Sequence, residues 1–280
     1  MNTECGVLYL VATPIGNLED ITYRSVRILN EVDFIAAEDT RHTLKLLNHF
    51  DIHKPMISYY EHNIRERGEK IIAKLKEGQN AALVSDAGTP AISDPGEDIV
   101  RLCAEQHIRV IPVPGAVAAI NALICSALPT SRFSFEGFLS VNKKSRMEHL
   151  EAVKNSPYTL IFYEAPHKLQ NTLSDMLKCF GDRKITIARE LTKKYEEFLY
   201  TSISNAISHF EETPPKGEFV LIVDGAKETE KTSVFDNMSV LEHINYYIES
   251  GMDKKEAMKK VAQDRGVSKS EIYAETIKHE

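Results

Sequence analysis

Cysteine is scarce in this chain, and what there is does not cluster. Cys5, Cys103, Cys125 and Cys179 form no Cys-x-x-Cys pair and have no grouped histidines beside them. That argues against a zinc site, so no metal is expected, and scattered thiols fit a reducing compartment such as the cytoplasm. A basic leader is also missing: the first apolar stretch, Gly6 to Ala12, follows Glu4 and reads as a β-strand rather than a signal peptide. The one long apolar run, Val110 to Leu128, is broken by Pro112, Pro114 and Gly115 near its start. What remains is too short to span a bilayer, so a soluble protein with no membrane partner is expected. No Gly-x-Gly-x-x-Gly fingerprint or Walker loop occurs, so neither a dinucleotide nor a nucleoside triphosphate is the expected ligand. Positive charge is in deficit, with 34 Lys and Arg against 41 Asp and Glu for a net charge of −7. A nucleic-acid partner would have to be met by a local basic patch.

What is present is an ordinary folded composition, 42% hydrophobic and 27% charged over 280 residues, enough for two domains and an appendage. The first half alternates β-branched runs with amphipathic helical patterns, as parallel βαβ units do. Strands are expected at Val7–Ala12, Phe34–Ala37, Met56–Ser58, Ala81–Ser85 and Arg109–Val113. Helices are expected at Tyr23–Glu31, Thr43–Phe50, Ile64–Lys76, Asp98–Glu105 and Val117–Ser126. The pattern changes around Pro129–Phe133, which marks a boundary. Beyond it, strands are expected at Thr159–Tyr163, Lys184–Ala188, Glu197–Thr201 and Phe219–Val223, with helices at Lys144–Lys154, His167–Phe180 and Ser204–Phe210. Ala226 to Ser233 is a linker by composition, and Val240 to Ile277 reads as three short helices with Ser268 as an N-cap. The expected organisation is an α/β domain at 1–130, a second α/β domain at 131–225, and a linker with a helical, helix-turn-helix-like tail at 226–280.

Three loops follow expected strands, and in open α/β sheets ligands bind at the carboxyl ends of strands. Thr13-Pro14-Ile15-Gly16-Asn17-Leu18 is a stiff turn and, taken alone, a plain connection. Ser85 to Gly96 is longer than the usual connection of roughly two to six residues. It is dense in Gly, Pro, Asp and Ser, which suits backbone groups arranged around a small polar ligand. Locally satisfied Asx turns are the competing account of its composition. Val113 to Ala119 passes into an Ala-rich helix whose small side chains would let a flat ring lie against the backbone. Tight helix–sheet packing explains that loop equally well.

In combination and in this order, the motifs resemble the tetrapyrrole methylase superfamily. Ala12–Leu18, Ala37-Glu38-Asp39-Thr40-Arg41 and Ser85–Pro90 carry the likeness, with Phe162–His167, Ala188–Lys193 and Gly217–Val220. The likeness is closer to the superfamily's branch that methylates ribose 2′-hydroxyls in ribosomal RNA, and it covers nearly the whole chain. The resemblance implies two α/β domains of the tetrapyrrole methylase type with S-adenosylmethionine in the interdomain cleft. It places Asp86, Ala87, Gly88, Ile92, Ser93, Gly115, Val117, Ala118, Tyr163 and Ala188 around the cofactor, with Pro14 near the methyl group. It implies a cytidine in the decoding region of 16S rRNA, or the small ribosomal subunit, as substrate, and a homodimer. Where tetrapyrrole methylases carry Asp in the first loop this chain has Asn17. An amide cannot act as a base, which argues against a tetrapyrrole-type role for that position. The helical tail and the basic clusters, which a porphyrinoid does not need, disfavour the alternative reading, a small-molecule tetrapyrrole methylase.

A ribose hydroxyl is a poor nucleophile at neutral pH and needs a proton acceptor. Glu38 and Asp39, at the end of the second expected strand, are the catalytic candidates. Asp39 also stands where it would cap the following helix. Glu190 is a further candidate base, with Arg189 as its expected ion-pair partner. Arg41 would grip a phosphate or pair with Glu38. Lys143, Lys144 and Arg146 form one basic cluster, and Lys193 and Lys194 form another. In the tail, which is acidic overall, Lys255 and Lys259 belong to a locally basic helical pair suited to RNA contact.

Overall fold

A computed structural model describes residues 5–60, 64–94, 96–227, 235 and 238–277. Pro95 of the second loop, and most of the compositional linker before Ser233, lie outside the described residues. The chain divides into two compact units, Met1–Ala226 and Lys227–Glu280.

The first unit opens with β1 (Leu8–Val11), α1 (Tyr23–Glu31), β2 (Phe34–Ala37), α2 (Thr40–His49), β3 (Met56–Ser58), α3 (Ile64–Lys76), β4 (Ala81–Val84), α4 (Gly96–Glu105), β5 (Val110–Val113) and α5 (Ala118–Ile124). The strands form one parallel sheet in the order β3-β2-β4-β1-β5. Both faces of this sheet are covered, which is why β2 (FIAA) and β4 (AALV) are apolar throughout and fully buried. Successive side chains serve opposite faces. Phe34 and Ala36 join Leu8, Ile71 and Ile99 on one side, while Ile35 and Ala37 join Val11, Leu29 and Leu47 on the other.

A second, mixed sheet follows, in the order β6-β7-β10-β8-β9. Its elements are β6 (Phe133–Phe138), α6 (Lys143–Val153), β7 (Thr159–Glu164), α7 (Leu169–Phe180), β8 (Lys184–Arg189), β9 (Glu197–Ser202), α8 (Ile203–Glu212) and β10 (Phe219–Val223). Only β6 and β7 pair in parallel. Helices α6, α7 and α8 bury Leu150, Leu173, Met176 and Phe210 against one face. Helix α5 covers the other, setting Ala119, Ala122 and Leu123 on Ile161, Ala188 and Val220. Its small residues let that helix lie close to the strands.

Strand β6 departs from the sequence reading, which places no strand between the Pro129–Phe133 boundary and Thr159. Ser134, Glu136 and Gly137 spoil the alternation that identifies strands. The ladder slips between Phe135 and Gly137, where Gly137 takes a left-handed φ of 64°. Elsewhere the expected elements are found, several with ends displaced by one to three residues.

The second unit contains α9 (Val240–Glu249), α10 (Lys254–Arg265) and α11 (Lys269–Ile277), packed on Ile244, Ala257, Val261 and Ile272. Ser239 and Glu242 form a capping box at α9. The expected N-cap of the last helix is found: Ser268 Oγ accepts the Glu271 N–H at 3.3 Å. Among the described residues no helix is long and apolar enough to cross a membrane, and no group of three or more His, Cys, Asp or Glu could hold a metal ion.

Candidate active site

The order of the parallel sheet puts the carboxyl ends of β2, β4, β1 and β5 side by side, and backbone hydrogen bonds join the loops that leave them. Thr13 and Gly88 exchange N–H···O bonds of 2.9 and 3.1 Å, tying the first loop to the second. Gly88 adopts a left-handed φ of 82° at this contact. Thr89 Oγ1 donates to Ala116 O at 3.0 Å, tying the second loop to the third. Asp39 N–H donates to Asp86 Oδ1 at 3.0 Å. The four loops thus form one rim, so a ligand meets groups fixed relative to one another.

That rim faces the second sheet across a cavity of about 470 Å³, lined by both sheets. The size lies in the ~300–1,000 Å³ range of small-molecule sites. Ile92, Val117, Ala118, Leu191 and Val220 give it apolar walls. Tyr163 lies among them, its hydroxyl oxygen accepting the Ala119 N–H at 3.1 Å. Burial raises the Tyr163 pKa, keeping the phenol neutral. The charged lining is all of one sign: Glu38, Asp86, Asp94, Glu164 and Glu218, with no Lys, Arg or His. Glu164 is neutralised by Lys168 at 3.4 Å and hydrogen-bonded by Thr172. Such a lining repels phosphate and suits a ligand with an apolar ring and a positive centre. Burial, then the charges of Asp86 and Asp94, raises the Glu38 pKa above the ordinary carboxylate value. That makes Glu38 the better proton acceptor of the two sequence candidates.

Asp39 lines neither this cavity nor its neighbour. It caps α2, accepting the Arg41 N–H at 2.8 Å, and grips the Arg41 guanidinium at 2.8 and 3.1 Å. Those bonds hold its carboxyl far below the usual range, which suits a cap and not a base. Arg41 therefore pairs with Asp39, not Glu38.

Of the residues placed around a cofactor by resemblance, Asp86, Ala87, Gly88, Ile92, Ser93, Val117, Ala118 and Tyr163 line the cavity. Three do not. Ala188 is buried beneath α5, in the same cross-strand row as Val220 and Tyr163. Gly115 lies against β1, where an added Cβ would come within 2.6 Å of Ala12 Cβ. Pro14 lines an adjoining cavity of about 530 Å³. Asn17 spends its amide oxygen on the Glu19 N–H at 3.1 Å, starting a short 3₁₀ turn, Leu18–Asp20. The sequence candidates omit Ile15, Asp94, Leu191, Glu218 and Val220, although all five stand in the quoted motifs. Phe138 is also omitted and had no signal, because it ends the irregular strand β6.

The basic candidates divide. Arg146 is an inward residue: its side chain, 9% exposed, pairs with Asp175 at 2.8 and 3.0 Å and donates to the Ser140 and Val141 carbonyls. Helix α6 turns one face to the core, and position 146 falls on it. Lys193 is engaged by Glu190 and Glu218, each at 2.9 Å. Glu190 thus pairs with Lys193, and Arg189 with Glu197 at 3.4 Å. Lys143, Lys144 and Lys194 are exposed, and so are Lys255 and Lys259 of the second unit.

The family model for Tetrapyrrole (Corrin/Porphyrin) Methylases matches residues 7–207. The chain belongs to the tetrapyrrole methylase family. Within this family it is 54% identical over 270 residues to a protein of Halalkalibacterium halodurans named Ribosomal RNA small subunit methyltransferase I, covering 96% of this chain and 93% of the relative. A Bacillus subtilis protein of the same name is 49% identical, over 97% and 94% of the two chains. Relatives this similar over nearly full length make this tetrapyrrole methylase an enzyme of the methyltransferase class. Among solved structures, uroporphyrin-III C-methyltransferase from Thermus thermophilus, complexed with S-adenosylhomocysteine, superposes with a TM-score of 0.54. It is 18% identical and covers 78% of this chain and 97% of its own, a likeness of fold.

Proposed function

We propose that this enzyme transfers a methyl group from S-adenosylmethionine to the 2′-hydroxyl of a cytidine ribose in the decoding region of 16S rRNA. The observation that carries the reading is the cavity between the sheets, whose walls are largely apolar and whose charged groups are all carboxylates. Support for the substrate comes from the name shared by the two full-length relatives.

The residues present fit the cofactor. Asp86, Asp94 and Glu38 offer negative charge to its cationic portion, and Val117, Ala118, Ile92 and Tyr163 offer a flat apolar slot for its ring. Gly115 and Ala188 act at one remove, the first through close contact with β1 and the second through the seat of α5. S-adenosylmethionine supplies an electrophilic methyl on a sulfonium. The protein's part is to align the acceptor, exclude water and take up the hydroxyl proton. Glu38 performs the last task, a contribution of about 10²–10⁴-fold for a general base. Asp39 positions α2 and so the loop carrying Glu38. Exposed Lys143, Lys144, Lys194, Lys255 and Lys259 supply phosphate contacts. We place the functional divisions at 130/131 and 225/226, one sheet to each of the first two segments and RNA contact to the third. The reading further places the enzyme in the cytoplasm, where its free thiols stay reduced, and makes it a homodimer.

The test is incubation with radiolabelled S-adenosylmethionine and small ribosomal subunits lacking the modification. Label is expected in 16S rRNA as an alkali-resistant dinucleotide, the signature of ribose methylation. Label on a base, or on a porphyrinoid but not on RNA, overturns the proposal.

A further inference from the structure

The adjoining cavity, unlike the first, has basic side chains in its lining. It shares with the first the wall formed by Ile15, Ser85, Asp86, Ala87 and Glu218. Its other side is built by α2, which contributes His42 and Lys45. These stand three positions apart and therefore on one helix face. Both are exposed, and neither has an ion pair among the described residues. Lys193 also lines this cavity but is held by Glu190 and Glu218, and nearby Arg41 is locked on Asp39. A lysine ammonium and an imidazole thus remain available for an incoming anion, and neither belongs to the basic clusters visible in the sequence. Pro14, Ile15 and Leu18 give the cavity an apolar side, with Leu18 left 40% exposed.

We propose that this second cavity is the acceptor pocket, holding one ribonucleotide of the RNA. Its ribose faces the shared wall, its phosphate lies at Lys45 and His42, and its base rests on Pro14, Ile15 and Leu18. The inference rests on the function proposed above. It follows from two constraints. The acceptor hydroxyl must reach the donor cavity through a common wall, and a phosphodiester avoids a chamber whose charged groups are all carboxylates. The volume, about 530 Å³, falls in the ~300–1,000 Å³ range of pockets that enclose small ligands.

The test compares Lys45→Glu, the double variant His42→Ala/Lys45→Ala, and Lys45→Arg with the parent protein. The measurements are RNA binding in a salt series with a 16S fragment, KM for small subunits, and S-adenosylmethionine affinity by calorimetry. The double variant is expected to raise KM for subunits about tenfold. The slope of log affinity against log salt should fall by about 0.7–0.9 for each phosphate that is no longer neutralised. Cofactor affinity should stay within twofold, and Lys45→Arg should retain RNA binding. Unchanged RNA affinity and slope overturn the proposal, as does a tenfold loss of cofactor affinity in Lys45→Glu. Failure of the parent protein to label any RNA would instead overturn the proposed function.

Discussion

Removing the Asp94 carboxylate should cripple cofactor binding without the residue needing to touch the cofactor. Asp94 Oδ1 accepts the N–H groups of Ala91 and Gly96 at 2.9 and 2.8 Å, and Oδ2 that of Ile92 at 3.3 Å. These bonds hold Ala91 and Ser93 at φ of 68° and 63°, in the left-handed region. An L-residue there costs roughly 1–2 kcal/mol, about 2–4 kcal/mol for the pair. Hydrogen bonds to a charged group contribute about 1.5–3 kcal/mol each, so three outweigh two strained residues and the turn persists. In Asp94→Ala the strain is unopposed, and Ile92 and Ser93 leave the cavity wall. Rebuilding the wall on binding then costs about 2–4 kcal/mol, a rise of roughly 30- to 700-fold in Kd at ~1.4 kcal/mol per decade. Asp94→Asn keeps an acceptor oxygen and should lose less than about tenfold. The assay is calorimetric titration with S-adenosylmethionine, thermal melting serving to show that each variant is folded. A folded Asp94→Ala protein binding within threefold of the parent would refute the reasoning.

Arg146→Ala leaves buried Asp175 with Lys178, at 3.6 Å, as its one ion-pair partner among the described residues, and should destabilise by about 3–5 kcal/mol. At roughly 2–4 °C per kcal/mol the melting temperature falls by about 6–20 °C. The paired replacement Arg146→Met/Asp175→Leu should restore most of this loss, and a melt unchanged by Arg146→Ala would return that arginine to the surface. Glu38→Gln should trade activity for stability. The raised Glu38 pKa means the folded state holds the proton more tightly than the unfolded chain does. The associated stability is full below the unfolded value and lost as pH rises through the folded one. At pH 7.5 the variant should therefore melt higher than the parent, converging with it below about pH 4, while turnover falls at least ~10²-fold. A lower melt at pH 7.5 would contradict the burial of that carboxylate.

The parallel half of the molecule was legible because its signals are local. Buried strands such as FIAA and AALV announce themselves by unbroken apolar runs between amphipathic helices, and in the tail Ser268 caps its helix from one position away. The loop motifs were legible too, since Gly, Pro and Asp densities are properties of consecutive residues. Tertiary structure decided what depends on neighbours distant in the chain. Only the strand order β3-β2-β4-β1-β5 brings Thr13 to Gly88 and Asp39 to Asp86, and so joins four loops into one rim. Only the packing of α6 on α7 turns Arg146 from a surface cation into a buried partner of Asp175. Equally, Lys193 is engaged because β8 and β10 run side by side, whereas Lys45 and His42 have no ion-pair partner among the described residues. Local composition decides which turns and helices form, because backbone geometry and capping act within a few residues. Charge availability is settled by long-range contact, because a side chain's partners are chosen by the fold and not by the residues beside it.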